Sequence, residues 1–426
     1  MSASNSTDDI KTLQKALVDN LVEREVIVSD AVERAFRAVP RHLFLPDTPL
    51  TAVYSDRAIV TKLENGRPTS SSSQPTMMAI MLEQMAVCSG ENVLEVGAGT
   101  GYNAALLGSL VGKNGRVTSI DIDSDIVEAA QCHLQAAGAD NVQVVCGDGT
   151  KGFAANAPYD CLILTVGGWD ISPEWMAQLK PNGRILLPLS FNGPQLSIVF
   201  TRNNDRLLSA SIRSCGFMRI QGPLAEPEFT KHLAFDNDVV ISRFGDNFSS
   251  EQFNVDEVQE WLKADPVQRN TAVEVTMADV WRSLSIWLVL NEQNRVFLED
   301  RNVQTTTPVP FLYSMEDMQN NRRWMMTIGL YLADGIAFFM RPPTHQPFAQ
   351  TQEESPLSSF PLFICGYGPR DTAVQQLQEH ILQWDQAGRP QTDTLNIEAV
   401  PISNNLSPED GAIVVKKKWH QFMLKW

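Results

Sequence analysis

Between Asn92 and Leu107 the chain reads NVLEVGAGTGYNAALL, with glycines at 97, 99 and 101 directly after the acidic Glu95. An apolar run that ends in alternating glycines and then turns helical lets backbone approach a ligand with no Cβ in the way. Asp121 closes the next apolar run, where a carboxylate can accept hydrogen bonds from a ribose diol. Asp148 sits in CGDGT, where Gly147 and Gly149 keep the loop tight and the acid can receive an adenine amino group. Each aspartate alone is more often a turn or cap residue. Together, at the carboxyl ends of three successive strands, they describe an adenosine pocket built from Glu95, Gly97, Gly99, Gly101, Asp121, Asp148 and Gly149.

The spacing is GxGxG, whereas a dinucleotide fold usually shows GxGxxG, and no acid–base partner for hydride chemistry accompanies it. The expected ligand is therefore S-adenosyl-L-methionine, with S-adenosyl-L-homocysteine as product, and an NAD oxidoreductase is the weaker reading. Adenine N-methyltransferases usually carry Asn/Asp-Pro-Pro-aromatic after the fourth strand. Here that strand runs into Thr165-Val166-Gly167-Gly168-Trp169, which argues against a nucleobase nitrogen as acceptor.

The elements that must hold these residues alternate. Strand patterns at Asn92–Val96, Arg116–Ile120, Val142–Val145, Tyr159–Thr165 and Arg184–Leu189 are separated by helical patterns at Asn103–Val111, Ser124–Ala137 and Pro173–Lys180, and a hairpin follows around Asn203-Asn204-Asp205. This rhythm predicts an α/β fold: a doubly wound, mostly parallel Rossmann-like sheet. After about residue 225 the rhythm changes. Residues 226–426 are expected to form a separate α+β extension with a hairpin about Ala333-Asp334-Gly335. In it a helix capped by Asp371 buries Val374, Leu377, Ile381 and Trp384, and Leu395–Val400 adds a strand. The domains are thus read as 1–225, binding the cofactor, and 226–426, recognising substrate.

Bulk properties bound the partners. At 426 residues two domains are expected. The formal charge of -16 divides as 18 Lys+Arg against 23 Asp+Glu in residues 1–225 and 16 against 27 in the remainder. A protein that neutralises phosphates needs a basic stripe; apart from Lys416-Lys417-Lys418, expected on a solvated terminal element, there is none, so nucleic acid is not an expected partner. No run of about 18 apolar residues suggests a membrane span, and the N-terminus lacks a secretory h-region, so a cytoplasmic address is expected. The six cysteines and six histidines show neither a disulfide framework nor metal-ligand spacing, and no metal is expected.

One stretch remains, TSSSSQPTMMA at 69–79. Pro75 suits the first turn of a helix, with Met78, Met81, Leu82 and Met85 on its buried face. Ser70 to Ser72 read as loop, and Ser73 falls at or beside a helix N-terminus, where an anion is favoured.

AVPRHLFLP (38–46), the Ser-Gln-Pro segment, VLEVGAGTGYNAALL, GDGTKGF, APYDCLIL (157–164) and QLKPNGRILLPL (178–189), taken in order, resemble the protein-L-isoaspartate O-methyltransferase family over about residues 30–220. The resemblance implies an S-adenosylmethionine-dependent carboxyl O-methyltransferase acting on a peptide or protein that contains aspartate or isoaspartate. The family's serine before its first core helix contacts the substrate carboxylate, and the matching residue here is Ser73. Ser72 stands where the family has isoleucine, and Gly167-Gly168-Trp169 where it has small, Ala-rich sequence. Ser72, Ser73, Val166, Gly167 and Gly168 are therefore expected to border the acceptor. The extension, absent from the short repair enzymes, leaves two acceptors open: damaged isoaspartyl chains, or an aspartate of one dedicated precursor peptide converted to aspartimide. A partner-binding protein on a vestigial cofactor fold is the reading from another class, and the intact glycines and aspartates argue against it.

Overall fold

The computed structural model describes residues 7–64, 67–233, 236–246, 253–300, 311–317, 322–342, 358–404 and 411–426. The chain divides into two compact units. The first comprises Met1–Ser190, Gln195–Ala225 and Asn396–Lys425; the second comprises Phe191–Pro194, Glu226–Leu395 and Trp426.

The first unit opens with α1 (Thr7–Glu23), α2 (Asp30–Ala38) and the single turn α3 (Leu50–Val53). Ser29 starts α2 by accepting a hydrogen bond from the Val32 N–H, a helix cap of the ordinary kind. Then β1 (Ile59–Glu64) and β2 (Arg67–Ser72) form an antiparallel hairpin in which Ile59 faces Ser72 and Val60 faces Ser71. Ser70–Ser72, expected as loop, are therefore strand. A serine run carries no apolar alternation to announce a strand, and the pairing comes entirely from its neighbour. Helix α4 (Pro75–Met85) follows, with Pro75 in its first turn and Met78, Met81, Leu82 and Met85 buried.

The alternation then runs β3 (Asn92–Val96), α5 (Tyr102–Val111), β4 (Arg116–Asp121), α6 (Ser124–Ala136), β5 (Val142–Cys146), β6 (Tyr159–Leu164), α7 (Pro173–Gln178) and β7 (Leu179–Ser190). The strands β8 (Gln195–Asn203) and β9 (Arg206–Cys215) close it as a hairpin. In space the order is β5-β4-β3-β6-β7-β8-β9. The first five are mutually parallel, while β8 is antiparallel to β7 and β9 is antiparallel to β8. All five residues of β3 are buried, as a parallel strand covered on both faces requires.

The expected extension is corrected at its end. Strands Asn396–Pro401, His420–Lys425 and Ile413–Lys416 continue the first unit's sheet beyond β9, all antiparallel. The sheet is thus parallel only in the half that carries the glycine motif, and residues 396–425 belong with the fold read from 1–225. Local pattern shows that a segment is a strand but not which edge it joins. Lys417, expected on a solvated basic face, is 3% exposed.

The second unit holds an antiparallel sheet ordered Glu228–Leu233, Asp236–Phe244, Arg295–Asp300, Arg322–Leu332, Gly335–Met340, Phe360–Tyr367, Val267–Val275, with Tyr313–Asp317 paired to Arg322–Leu332. Helix Thr372–Gln386 packs on it through Val374, Leu377, Ile381 and Trp384. The Asp371 side chain does not cap that helix; it accepts from Gln375 and Arg269 instead. Most of the polar segment 346–361 lies outside the described residues.

Candidate active site

The sheet order reverses at β3: the chain proceeds from β3 to β4 and β5 on one side and returns to β6 on the other. In such sheets ligands bind outside the carboxyl ends of the strands at that reversal. The loops after β3 and β6 therefore define the crevice.

The β3 loop needs its glycines. Gly97, Gly99 and Gly101 have φ of +98°, +51° and +85°, a region that favours glycine. A Cβ on Gly97 would also stand 2.8 Å from Thr165 Oγ1 and 3.1 Å from Val166 Cγ1. The loop is knitted to its neighbours: the Gly97 N–H donates to Ile120 O at 2.8 Å, the Thr165 hydroxyl donates to Gly97 O at 2.6 Å, and His133 Nδ1 lies 3.0 Å from Thr100 O.

Glu95 does not line the crevice. It is fully buried, accepting from Asn103 Nδ2 at 2.8 Å and Ser119 Oγ at 2.5 Å. Burial pushes its carboxyl up to about 7. The expected ligand contact is thus corrected to a support role: the side chain ties α5 to β4 beneath the loop.

Asp121 is partly exposed at the carboxyl end of β4. Its Oδ2 accepts from the Gly99 N–H and its Oδ1 from the Asp123 N–H, both at the long distance of 3.2 Å. Desolvation raises its pKa despite these donors. The next residue, Ile122, is 64% exposed and offers an apolar surface beside that acid; sequence reading missed it, although an apolar residue after a strand-ending aspartate was there to be seen. Asp148 uses Oδ1 to accept from the Thr150 N–H at 2.9 Å and hydroxyl at 2.7 Å. Gly149 packs so closely that a Cβ would meet Val96 Cγ1 at 2.5 Å.

The serine segment forms the near side. A Cβ on Gly99 would lie 3.4 Å from Ser71 O, so the end of β2 rests against the glycine loop. Ser73 is partly exposed there. Ser72 is 3% exposed, with its Oγ accepting from Arg41 at 3.3 Å, so the expectation that it borders the acceptor is corrected: strand alternation turns it inward. Ser73 is not the helix cap either. Gln74 holds the cap position without a side-chain bond, and Asp56 supplies the anion, its Oδ1 accepting from the Thr76 N–H at 2.9 Å and its Oδ2 from the Thr76 hydroxyl at 2.6 Å. The expected anion site at that terminus is thus already taken by the protein's own carboxylate.

Two cations escaped the sequence reading. Arg41, within the quoted AVPRHLFLP, is fully buried and reaches Ser72 and Ser73. Lys62 of the β1–β2 hairpin contacts Asp123, the cap of α6, and thereby ties the hairpin to the loop that follows Asp121. The Lys62 ammonium holds the Asp123 carboxyl below its usual range. Nothing local in the sequence marks either pairing, because the partners lie far along the chain.

The far side is Thr165 and Val166, both partly exposed. Gly167 and Gly168, expected to border the acceptor, are buried behind them. The Gly167 N–H donates to Met218 O and its oxygen accepts from the Ile220 N–H, both at 2.8 Å, while the Gly168 N–H donates to Pro188 O at 2.8 Å. They back the wall and do not form its surface.

Comparison with known proteins agrees with this geometry. Residues 11–222 match the family model described as protein-L-isoaspartate(D-aspartate) O-methyltransferase. A protein-L-isoaspartate O-methyltransferase of Thermotoga maritima is 40% identical over 224 residues, covering 51% of this chain and 70% of the relative. Protein-L-isoaspartate O-methyltransferase 2 of Archaeoglobus fulgidus is 38% identical over 207 residues, covering 48% of this chain and 92% of the relative. A solved structure titled protein-L-isoaspartate O-methyltransferase aligns over 90% of this chain and 96% of its own, at 23% identity and a TM-score of 0.49. With the motifs in order, the crevice at the sheet reversal and most of the Archaeoglobus relative covered, the chain belongs to the protein-L-isoaspartate O-methyltransferase family of S-adenosylmethionine-dependent carboxyl methyltransferases.

Proposed function

We propose that this chain methylates the free α-carboxylate of L-isoaspartyl residues in peptides, with Ser73 as the hydroxyl that orients it. One observation carries the reading: the end of β2 rests on the glycine loop at Ser71, so Ser73 and the cofactor loop share one crevice.

The residues present suit S-adenosylmethionine. The glycines leave backbone bare at the carboxyl end of β3, Asp121 is a carboxylate acceptor for ribose hydroxyls, Ile122 offers an apolar face to adenine, and Asp148 follows the third strand. When bound, the cofactor supplies an activated methyl on a sulfonium.

The protein's share of the work is small and physical. A carboxylic acid with a reference pKa of about 3.5–4 is already ionised at neutral pH, so no general base is required. The site must desolvate the carboxylate and align one oxygen for in-line displacement. The Ser73 hydroxyl can donate to the other oxygen, and the Arg41 guanidinium behind it adds positive potential. Thr165 and Val166 close the opposite side. The resulting ester loses methanol when the following backbone nitrogen attacks the carbonyl, giving a succinimide that water opens to aspartate at one carbonyl and back to isoaspartate at the other.

The test pairs a short L-isoaspartyl peptide with its L-aspartyl twin, using methyl-labelled cofactor and scoring base-labile label. Transfer to the isoaspartyl peptide alone is expected. Transfer to neither, by protein that binds S-adenosylhomocysteine, would reject isoaspartyl repair and favour a second reading, a dedicated peptide whose aspartate is converted to aspartimide. The second unit at Glu226–Leu395 supports that alternative, because it lies outside the matched region and could serve recognition of one partner.

A further inference from the structure

The wall opposite Ser73 is bonded to the glycine loop at Thr165 and to Met218, Ile220 and Pro188 at Gly167 and Gly168, and a further set of bonds holds the chain just beyond it. Val166 is followed by two glycines, which are conformationally permissive, and then by the buried Trp169 and Asp170. Asp170 is 0% exposed. Its Oδ1 accepts from the Ile171 N–H at 2.7 Å. Its Oδ2 accepts from the Trp419 N–H at 2.6 Å and lies 3.4 Å from the His420 N–H. The His420 ring stands over the same acid, Nδ1 3.3 Å from Oδ1, and His420 is 2% exposed.

The same turn grips the wall a second way. Lys417 Nζ donates to Ser190 O at 2.5 Å, and the Ser190 N–H donates to Gly168 O at 2.9 Å. The turn is closed by the Lys417 N–H donating to His420 O at 2.8 Å. Three residues far outside the matched region 11–222, Lys417, Trp419 and His420, therefore hold both Asp170 and the strand end bonded to Gly168.

An ordinary sheet edge could be covered with apolar side chains at lower cost. Burying an acid is expensive unless it is hydrogen-bonded, and buried polar clusters of this kind are best justified where they select one arrangement among several. We propose that the Lys417–His420 turn is a positioning element of the acceptor pocket: through Asp170 it fixes where the Thr165–Val166 wall stands. Asp170 and His420 are positioning residues, set behind the wall. The inference rests on the reading that Val166 borders the acceptor.

The test uses the full chain, with melting curves, S-adenosylhomocysteine affinity by calorimetry, and KM and kcat for an L-isoaspartyl peptide. All kinetics are run well below each variant's melting temperature. Asp170→Asn is expected to raise KM at least tenfold while cofactor-product affinity stays within twofold. His420→Ala, which removes the ring standing over Asp170, should raise KM about fivefold. Lys417→Met keeps the alkyl stem and drops the Ser190 bond; it provides a milder variant should Asp170→Asn fail to fold, and a KM rise of at least threefold is expected.

An unchanged KM in folded Asp170→Asn or Lys417→Met overturns the proposal. So does a parallel loss of peptide and product affinity that simply follows melting temperature. Val166→Phe separates the two readings. If it leaves KM untouched, Val166 is not in the acceptor wall; if it raises KM while the turn variants do not, the positioning inference alone fails.

Discussion

The Arg41 guanidinium donates from Nη2 to Ser73 O at 3.0 Å, and its remaining bonds also end on neutral acceptors. Nη1 donates to Val53 O at 2.9 Å and Ser55 O at 3.2 Å, and Nη2 also reaches Arg57 O and Ser72 Oγ at 3.3 Å. Asp56 interacts with it electrostatically but spends its oxygens on Arg24 and Thr76. A buried cation held by neutral acceptors behind Ser73 leaves positive potential for an arriving carboxylate.

Arg41→Lys keeps the charge and loses the fork of donors. Loss of several buried charge-assisted bonds is expected to cost roughly 2–4 kcal/mol, seen as a lower melting temperature. Peptide kcat/KM should fall at least tenfold with S-adenosylhomocysteine affinity within threefold. Equal losses in both would make Arg41 a support of the whole unit and no particular partner of Ser73.

Ser73→Ala removes one hydroxyl from the crevice. A hydrogen bond to a charged group contributes roughly 1.5–3 kcal/mol, so peptide kcat/KM should fall about 10- to 100-fold with the melting temperature unchanged. Calorimetry should find product affinity within twofold; a large loss there would move Ser73 to the cofactor side.

Asp121→Ala should weaken S-adenosylhomocysteine at least tenfold, since it removes the ribose acceptor and the Gly99 bond together. Asp121→Asn, which keeps an acceptor oxygen for Gly99, should fall between it and the parent. Normal affinity in the alanine variant would contradict the ribose assignment.

Glu95 makes stability depend on pH. Its folded pKa is about 7 against an ordinary value of 4.5, so between these values the folded state holds more protons than the unfolded one. Stability from this group is therefore full below about pH 4.5, declines as pH rises, and levels off above 7. The difference is about 3 kcal/mol at 1.36 kcal/mol per unit. Glu95→Gln should flatten that part of the profile in urea titrations at pH 5 and pH 8. An unchanged slope would mean that Glu95 ionises freely in the fold.

What the sequence determined by itself lies within short windows. The glycines of 97–101 select a backbone that other residues resist, and apolar runs of strand length place β3 to β6 and their crossover helices. Motifs in order identify the family. Tertiary structure decided whatever depended on a distant partner. Ser72 and Ser73 both read as bordering the acceptor until pairing with β1 turns Ser72 inward toward Arg41 and leaves Ser73 partly exposed. Glu95 reads as a ligand contact until α5 and β4 close over it. Residues 396–425 read as the end of a separate domain until they pair with β9. Backbone hydrogen bonding is the same for any strand and any edge, so the choice of partner rests on side-chain burial across hundreds of residues, and no local pattern records it.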